Sequence, residues 1–253
     1  MLQVRTRPYP GDVSVIHGLL DRDDLLERLD RATTKRVTVI SAPAGSGKTS
    51  LLRAWADRAA GSRRVAFDRH ERDEHSAERL WRSILDAIRA PSLSSEPATP
   101  PTTNALEGDQ LREQVLSEVA EQVEPLVLIV DDLHELRSAA ALTQLEQLLT
   151  TMPSSARVVL SSRRDPPIRL HRLRLANEVA EIRAGDLRFT ERETLELLAR
   201  SEIALSDVGA VALHQHTEGW AAGLRLAVIS LGGHPDPERF VPENSATKRS
   251  GSG

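Results

Sequence analysis

The sequence predicts an α/β fold: a five-stranded parallel sheet of order 5-1-4-3-2, covered by helices, with a small C-terminal helical lid. Three observations predict it. Short apolar runs alternate with helical patterns, the alternation that builds parallel sheets. The first run, Val37–Ile40, passes through a small-residue turn straight into an amphipathic helix. The third, Leu126–Val130, is aliphatic throughout and ends in two carboxylates, as expected of a strand covered on both faces whose tip meets a ligand.

Taken in order, residues 1–16 are irregular, with Pro8 and Pro10 interrupting any helix. Asp21–Ala32 reads as a helix with Leu25, Leu26 and Leu29 on one face. Arg22 at its start reads as a solvated helix charge, with a place beside an adenine as the alternative. The first strand and its turn lead into a helix over 49–60, with Leu51, Leu52, Trp55 and Ala59 at core spacing and Gly61 at its stop. Arg64–Phe67 is a short second strand. Ser76–Ala90 is a helix with Ser76 as a candidate N-cap. Residues 91–105 are rich in Pro, Ser and Thr and read as a surface loop. Leu106–Val123 is helical, and the aliphatic third strand follows. After it come a helix over Ala141–Leu149, a fourth strand over Arg157–Ser161 and a fifth over Val179–Arg183. Thr190 and Glu193 form a capping box opening a further helix, with two more at about 206–217 and 220–231, joined at Gly219-Trp220. This divides the chain into an irregular start (1–16), a P-loop core (17–188), a helical lid (189–235) and a disordered tail (236–253).

The chemistry centres on Ala42-Pro43-Ala44-Gly45-Ser46-Gly47-Lys48-Thr49-Ser50. A strand, a Gly-containing turn and then Lys-Thr at a helix start make a P-loop: backbone N–H groups and the helix N-terminus converge on an anion. Lys48 would reach the β- and γ-phosphates, and the Thr49 hydroxyl would ligate Mg²⁺. The strict pattern has Gly where Ala42 stands, while Gly45 and Gly47 keep the flexible part of the loop. About 80 residues on, Asp131-Asp132 matches a Walker B element. There Asp131 would hold Mg²⁺, and Asp132 would orient the attacking water. Arg163, just past the fourth strand, is placed to reach a γ-phosphate, and a solvated loop charge is the alternative. His134 and Glu135 read as loop residues rather than metal ligands. The expected fold is thus a P-loop NTPase of the additional-strand type, with ATP or ADP and Mg²⁺ as cofactors.

Composition bounds the function. At 40% hydrophobic and 28% charged, the 253 residues suffice for one large α/β domain, alone or with a small helical one. A net charge of −4 gives no overall attraction to polyanions, and 3% aromatic residues leave too few rings for a base-stacking platform. Without cysteine there is neither a disulfide framework nor a thiolate metal site. No apolar run approaches membrane-spanning length, so the expected location is cytoplasmic, with no membrane partner. Lys35, Lys48 and Lys248 are the only lysines, and one of the three stands in the P-loop. The arginine-dense stretch from Arg157 to Arg183 reads as solvated faces plus one sensor arginine rather than a nucleic-acid patch.

With these residues assembled, the chain resembles the ATPase domain of the STAND class, and within it the MalT-like/LuxR-type bacterial transcriptional regulators. The carriers are SAPAGSGKTSLLRAW, LVLIVDDLHEL, SSRRDPPIRLHRLR, EIRAGDLRFTERET and HQHTEGWAAGLRLA, over roughly residues 15–241. The resemblance implies an ATP- or ADP-binding switch that oligomerises with ATP and is reset by slow hydrolysis. It assigns phosphate and Mg²⁺ to Lys48, Thr49 and Asp131, hydrolysis to Asp132 and γ-phosphate sensing to Arg163. The class usually carries Gly-x-Pro near Gly219, its proline touching the nucleotide; here the sequence is Gly219-Trp220-Ala221. Such regulators continue into a winged helix, sensor repeats and a helix-turn-helix, none of which is legible here. A truncated gene, a remnant and an excised domain all fit, and DNA contact would be indirect. The expected partners are nucleotide and a second copy or a full-length regulator. Two other readings use the same motifs: an AAA+-like ATPase acting on DNA or protein, and a non-catalytic fragment that modulates a full-length regulator.

Overall fold

A computed structural model describes residues 22–69, 77–90, 108–122, 124–232, 234 and 236–240. The expectations for residues 1–16, for Ser76 as an N-cap, for the 91–105 loop and for the tail beyond 240 lie outside them. The elements are α1 (Asp23–Ala32), β1 (Val37–Ser41), α2 (Lys48–Ala59), β2 (Arg64–Arg69), α3 (Ala77–Arg89), α4 (Gly108–Glu121), β3 (Leu126–Asp131), α5 (Ala139–Thr151), β4 (Ala156–Ser162), α6 (His171–Leu175), β5 (Val179–Arg183), α7 (Ala184–Leu187), α8 (Glu191–Arg200), α9 (Asp207–Thr217) and α10 (Ala221–Leu231). Short 3₁₀ turns cover Leu133–Glu135 and Pro237–Phe240. The chain divides into two compact units.

The sheet unit comprises Asp23–Ala44 and Leu51–Asp186. Its five strands run in the order β2-β3-β4-β1-β5, the expected 5-1-4-3-2 read from the other edge. Every pairing is parallel; β1 sits between β4 and β5, with Val39 opposite Leu160 on one side and Glu181 on the other. Every residue of β1 and of β3 is buried, as strands covered on both faces require. The core runs from Val37, Val39, Leu128, Val130, Val158 and Leu160 of the sheet into Leu80, Trp81, Ile84, Leu85 and Ile88 of α3. These α3 positions recur at the 3.6-residue period that keeps one helix face inward. Trp81 donates its indole N–H to Gln144 Oε1 at 2.6 Å, pinning α3 to α5 and satisfying the one polar atom of a buried ring. Arg36, one residue before β1, donates to the carbonyls of Leu149, Thr150 and Met152 at 2.7, 3.1 and 2.5 Å. Those are the orphan acceptors at the end of α5, so one guanidinium caps the helix beside the central strand.

Among the described residues, the helical unit comprises Arg22, Gly45–Ser50 and 187–240. Phe189, Leu197, Leu198, Ile203, Leu213 and Leu224 form its core. The capping box is present: the Thr190 hydroxyl accepts from Glu193 N–H while the Glu193 carboxylate accepts from Thr190 N–H. Ser206 caps α9 in the same way, accepting from Gly209 N–H at 3.0 Å. Residues 236–240, read from the sequence as the start of a disordered tail, are ordered instead: Glu238 accepts from the Ser206 backbone N–H at 3.0 Å and from its hydroxyl, which ties this segment to the start of α9.

Candidate functional site

Three neighbouring strands of the sheet unit end at one edge. β1 ends at Ser41, β4 at Ser162 and β3 at Asp131. Strands lie about 4.8 Å apart, so Asp131 and Ser41 stand about 10 Å apart across the tip of β4. Asp131 is fully buried, which a carboxyl group tolerates only with hydrogen-bond partners. One is the N–H of Asp132, donated to Asp131 Oδ1 at 3.0 Å. Asp132 itself is left-handed, φ 54°, a conformation its short polar side chain tolerates. This kink starts the Leu133–Glu135 turn, which sets His134 Nε2 3.2 Å from Glu135 Oε1.

Arg163 follows β4 directly and is exposed. Its loop is held two residues on. Arg183, the last residue of β5, is ion-paired with Asp165 and also donates to Glu181, while Arg174 donates to Glu181 at 2.8 Å. The Arg183 guanidinium, then the Ser41 hydroxyl, hold the Asp165 carboxyl below its ordinary pKa. Arg183 chiefly, then Arg174, likewise lower Glu181 against the opposing effect of burial. The ends of β1 and β5 thereby clasp the loop that carries Arg163. Ala42, just past β1, is buried and donates its N–H to Ser162 carbonyl at 3.2 Å, while Pro43 and Ala44 are exposed.

In the helical unit, Gly45 and Gly47 are both left-handed, φ 73° and 84°. Ser46, Lys48 and Ser50 are buried and Thr49 is half-buried. Lys48 opens α2, whose first turn carries no acidic side chain, so the positive helix end and the ammonium act together. The Gly45 carbonyl accepts from Ala222 N–H at 3.0 Å. A Cβ on Gly45 would stand 2.7 Å from Ala222 Cβ and 2.8 Å from Trp220 Cζ2. Gly219, φ 67°, accepts from Phe189 N–H at 2.9 Å, and a Cβ there would lie 2.3 Å from the Phe189 carbonyl oxygen.

Arg22 corrects the sequence reading. It is not a solvated charge: 6% exposed, it donates to Glu193 Oε1 at 2.8 Å, to Leu187 O at 2.9 Å and to Arg188 O at 2.7 Å. Its guanidinium also lies 4.4 Å from the Phe189 ring centroid. These partners lie 165 to 171 residues away in the chain, beyond the reach of any local pattern.

The sheet unit thus brings Ala42, Pro43, Ala44, Asp131, Asp132 and Arg163 to one sheet edge, and the helical unit holds Gly45, Ser46, Gly47, Lys48, Thr49 and Ser50. The Asp165–Arg183 clasp and the Gly45–Ala222 bond were not legible in the sequence. For the first, the only signal was a paired arginine and acid beside strand ends. For the second it was a tryptophan where a helix start ordinarily carries a polar cap.

A protein-family profile described as an AAA ATPase domain matches residues 20–161, more than half of the chain. The HTH-type transcriptional regulator MalT of Yersinia enterocolitica is 27% identical over 213 residues, 83% of this chain and 23% of that protein. The serine/threonine-protein kinase PknK of Mycobacterium tuberculosis is 28% identical over 234 residues, 88% of this chain and 21% of that one. The chain therefore spans less than a quarter of the length of these relatives. Among solved structures, the Aeropyrum pernix ORC1 protein in complex with DNA aligns with a TM-score of 0.57 at 15% identity, covering 86% of this chain and 63% of that one. Cdc6p of Pyrobaculum aerophilum aligns with a TM-score of 0.55 at 15% identity, covering 83% and 60%. At that identity the likeness is one of fold, and the fold is that of P-loop NTPases.

Proposed function

Because the chain belongs to the AAA ATPase domain family, we propose that it is the ATP-binding module of a STAND-type regulatory switch related to LuxR-family transcriptional regulators, reset by slow hydrolysis. The observation that carries this reading is the pair of left-handed glycines, Gly45 and Gly47, set directly before a buried lysine at a helix start. The likeness to MalT over most of the chain supports the regulatory side of it. In this reading Ala42–Ser50 wrap the phosphates, Lys48 neutralises the β- and γ-phosphate charge, and Thr49 and Asp131 are the protein's ligands to Mg²⁺. The residues fit that ion. Among the described residues no group of three or more His, Asp or Glu could hold a metal on its own. Mg²⁺ in nucleotide sites takes one or two protein oxygens and completes its shell with phosphate and water. Asp132 accepts a hydrogen bond from the attacking water, and Arg163 contacts the γ-phosphate. A second copy or a full-length regulator is the protein partner, and DNA contact is indirect. No helix among the described residues is long and apolar enough to cross a membrane.

Titrating the chain with ATP, with and without a chelator of divalent cations, tests this. Chelation weakens ATP binding by roughly tenfold or more in the natural chain and has little effect in Asp131→Asn. An Mg²⁺ effect of the same size in both proteins removes Asp131 from the metal site. A folded natural chain that binds neither ATP nor ADP contradicts the whole reading.

A further inference from the structure

We propose that the first turn of α10 is a positioning device for the phosphate loop, in which Ala222 N–H and the Trp220 ring fix the peptide between Gly45 and Ser46. This rests on the nucleotide-binding reading given above. Trp220 occupies the N-cap of α10 and makes no side-chain cap hydrogen bond, so the first amides of that helix need another acceptor. The Gly45 carbonyl is that acceptor for Ala222, at 3.0 Å. The bond serves both partners. A trans peptide is planar, and its C=O and N–H point opposite ways. Holding the Gly45 oxygen on α10 therefore aims Ser46 N–H away from α10, with its direction set before any ligand arrives. An anion-binding loop depends on amides fixed in advance, because a loop that must first order itself binds more weakly.

The ring adds a steric stop. Trp220 is 43% exposed, yet its six-membered ring lies so close to Gly45 that a Cβ there would be 2.8 Å from Cζ2. Gly45 is thus required twice, for its positive φ and for this approach. A departure of α10 from the loop would break the bond, withdraw the ring and free the Ser46 amide to turn.

The test compares ADP affinity by calorimetry in four single variants, each checked for unchanged helicity and unfolding midpoint. Ala222→Pro deletes the donor N–H while staying in the first helical turn, where proline is tolerated. Ala222→Ser, which keeps the N–H at the same position, is the control. Trp220→Ala removes the ring, and Trp220→Phe restores one. The expected result is a five- to tenfold loss in Ala222→Pro, the size of one net hydrogen bond. Trp220→Ala should also weaken, with Ala222→Ser and Trp220→Phe close to the natural chain. If Ala222→Pro binds like the natural chain, or Ala222→Ser weakens equally, the positioning role is overturned while the nucleotide-binding reading stands. If the natural chain itself binds no ADP, that reading fails and this inference with it.

Discussion

Arg22 and Glu193 form an ion pair of 2.8 Å, with side chains 5% and 15% exposed. Burial raises the Glu193 pKa, but the Arg22 guanidinium and the Thr190 amide outweigh it and leave the carboxyl below its ordinary value of 4.5. Removing one member leaves a buried charge without its partner. Arg22→Ala should cost about 3 kcal/mol in urea unfolding, and Glu193→Gln about 1–2 kcal/mol, because the amide oxygen still accepts from Arg22 while its NH2 cannot accept from Thr190 N–H. The pH dependence has a definite sign. A carboxyl whose folded pKa is depressed contributes stability above its unfolded pKa and loses it as pH falls through the folded one. The stability gap between the natural chain and Glu193→Gln should therefore be full above about pH 5 and close as the pH drops below about 4. A gap independent of pH would show that the charge of Glu193 is not what holds Arg22.

Gly219→Ala should be strongly destabilising, by about 3 kcal/mol or more, for two separable reasons. The backbone is left-handed, and the added Cβ would press on a carbonyl oxygen that cannot swing away. Gly61 provides the comparison: it too is left-handed, φ 94°, but a Cβ there meets nothing within 4 Å. Gly61→Ala should show only the conformational part, about 1 kcal/mol. Equal midpoint shifts in thermal unfolding would remove the steric half of this explanation.

Arg183→Ala separates loop placement from stability. Its ion pairs are exposed, so their loss should change the unfolding free energy by less than about 1 kcal/mol. The loop bearing Arg163 would lose its clasp, and the rate of ATP hydrolysis should fall in the same direction as in Arg163→Ala. A normal rate in Arg183→Ala beside a reduced one in Arg163→Ala would show that the loop holds its place unaided.

Much of the architecture was legible because its signals are local. The aliphatic run of β3 ending in Asp131, the Gly-Lys turn after β1 and the capping box at Thr190 each sit within a few residues, and the strand order followed from the P-loop and Walker B elements together. Strand β2 runs two residues further than the expected Arg64–Phe67, to Arg69, and Asp68, a residue type sparse in strands, is 4% exposed on it. Helix α6 carries no sequence signal of its own: five residues, two of them arginine, with Leu175 87% exposed, offer no apolar period. The contacts that needed the fold were the long-range ones. Arg22 looks like any surface arginine until residues 187–193 surround it, and nothing local to Trp220 announces that a carbonyl from position 45 completes its helix.

The central claim is that the loop ending in Lys48-Thr49 binds a nucleotide phosphate. Isothermal titration of ADP and ATP into the natural chain and into Lys48→Ala tests it most directly. The account predicts saturable binding by the natural chain and a loss of roughly 10- to 100-fold on removing the ammonium, the span of a charge-assisted contact. Equal affinities in the two folded proteins would contradict it.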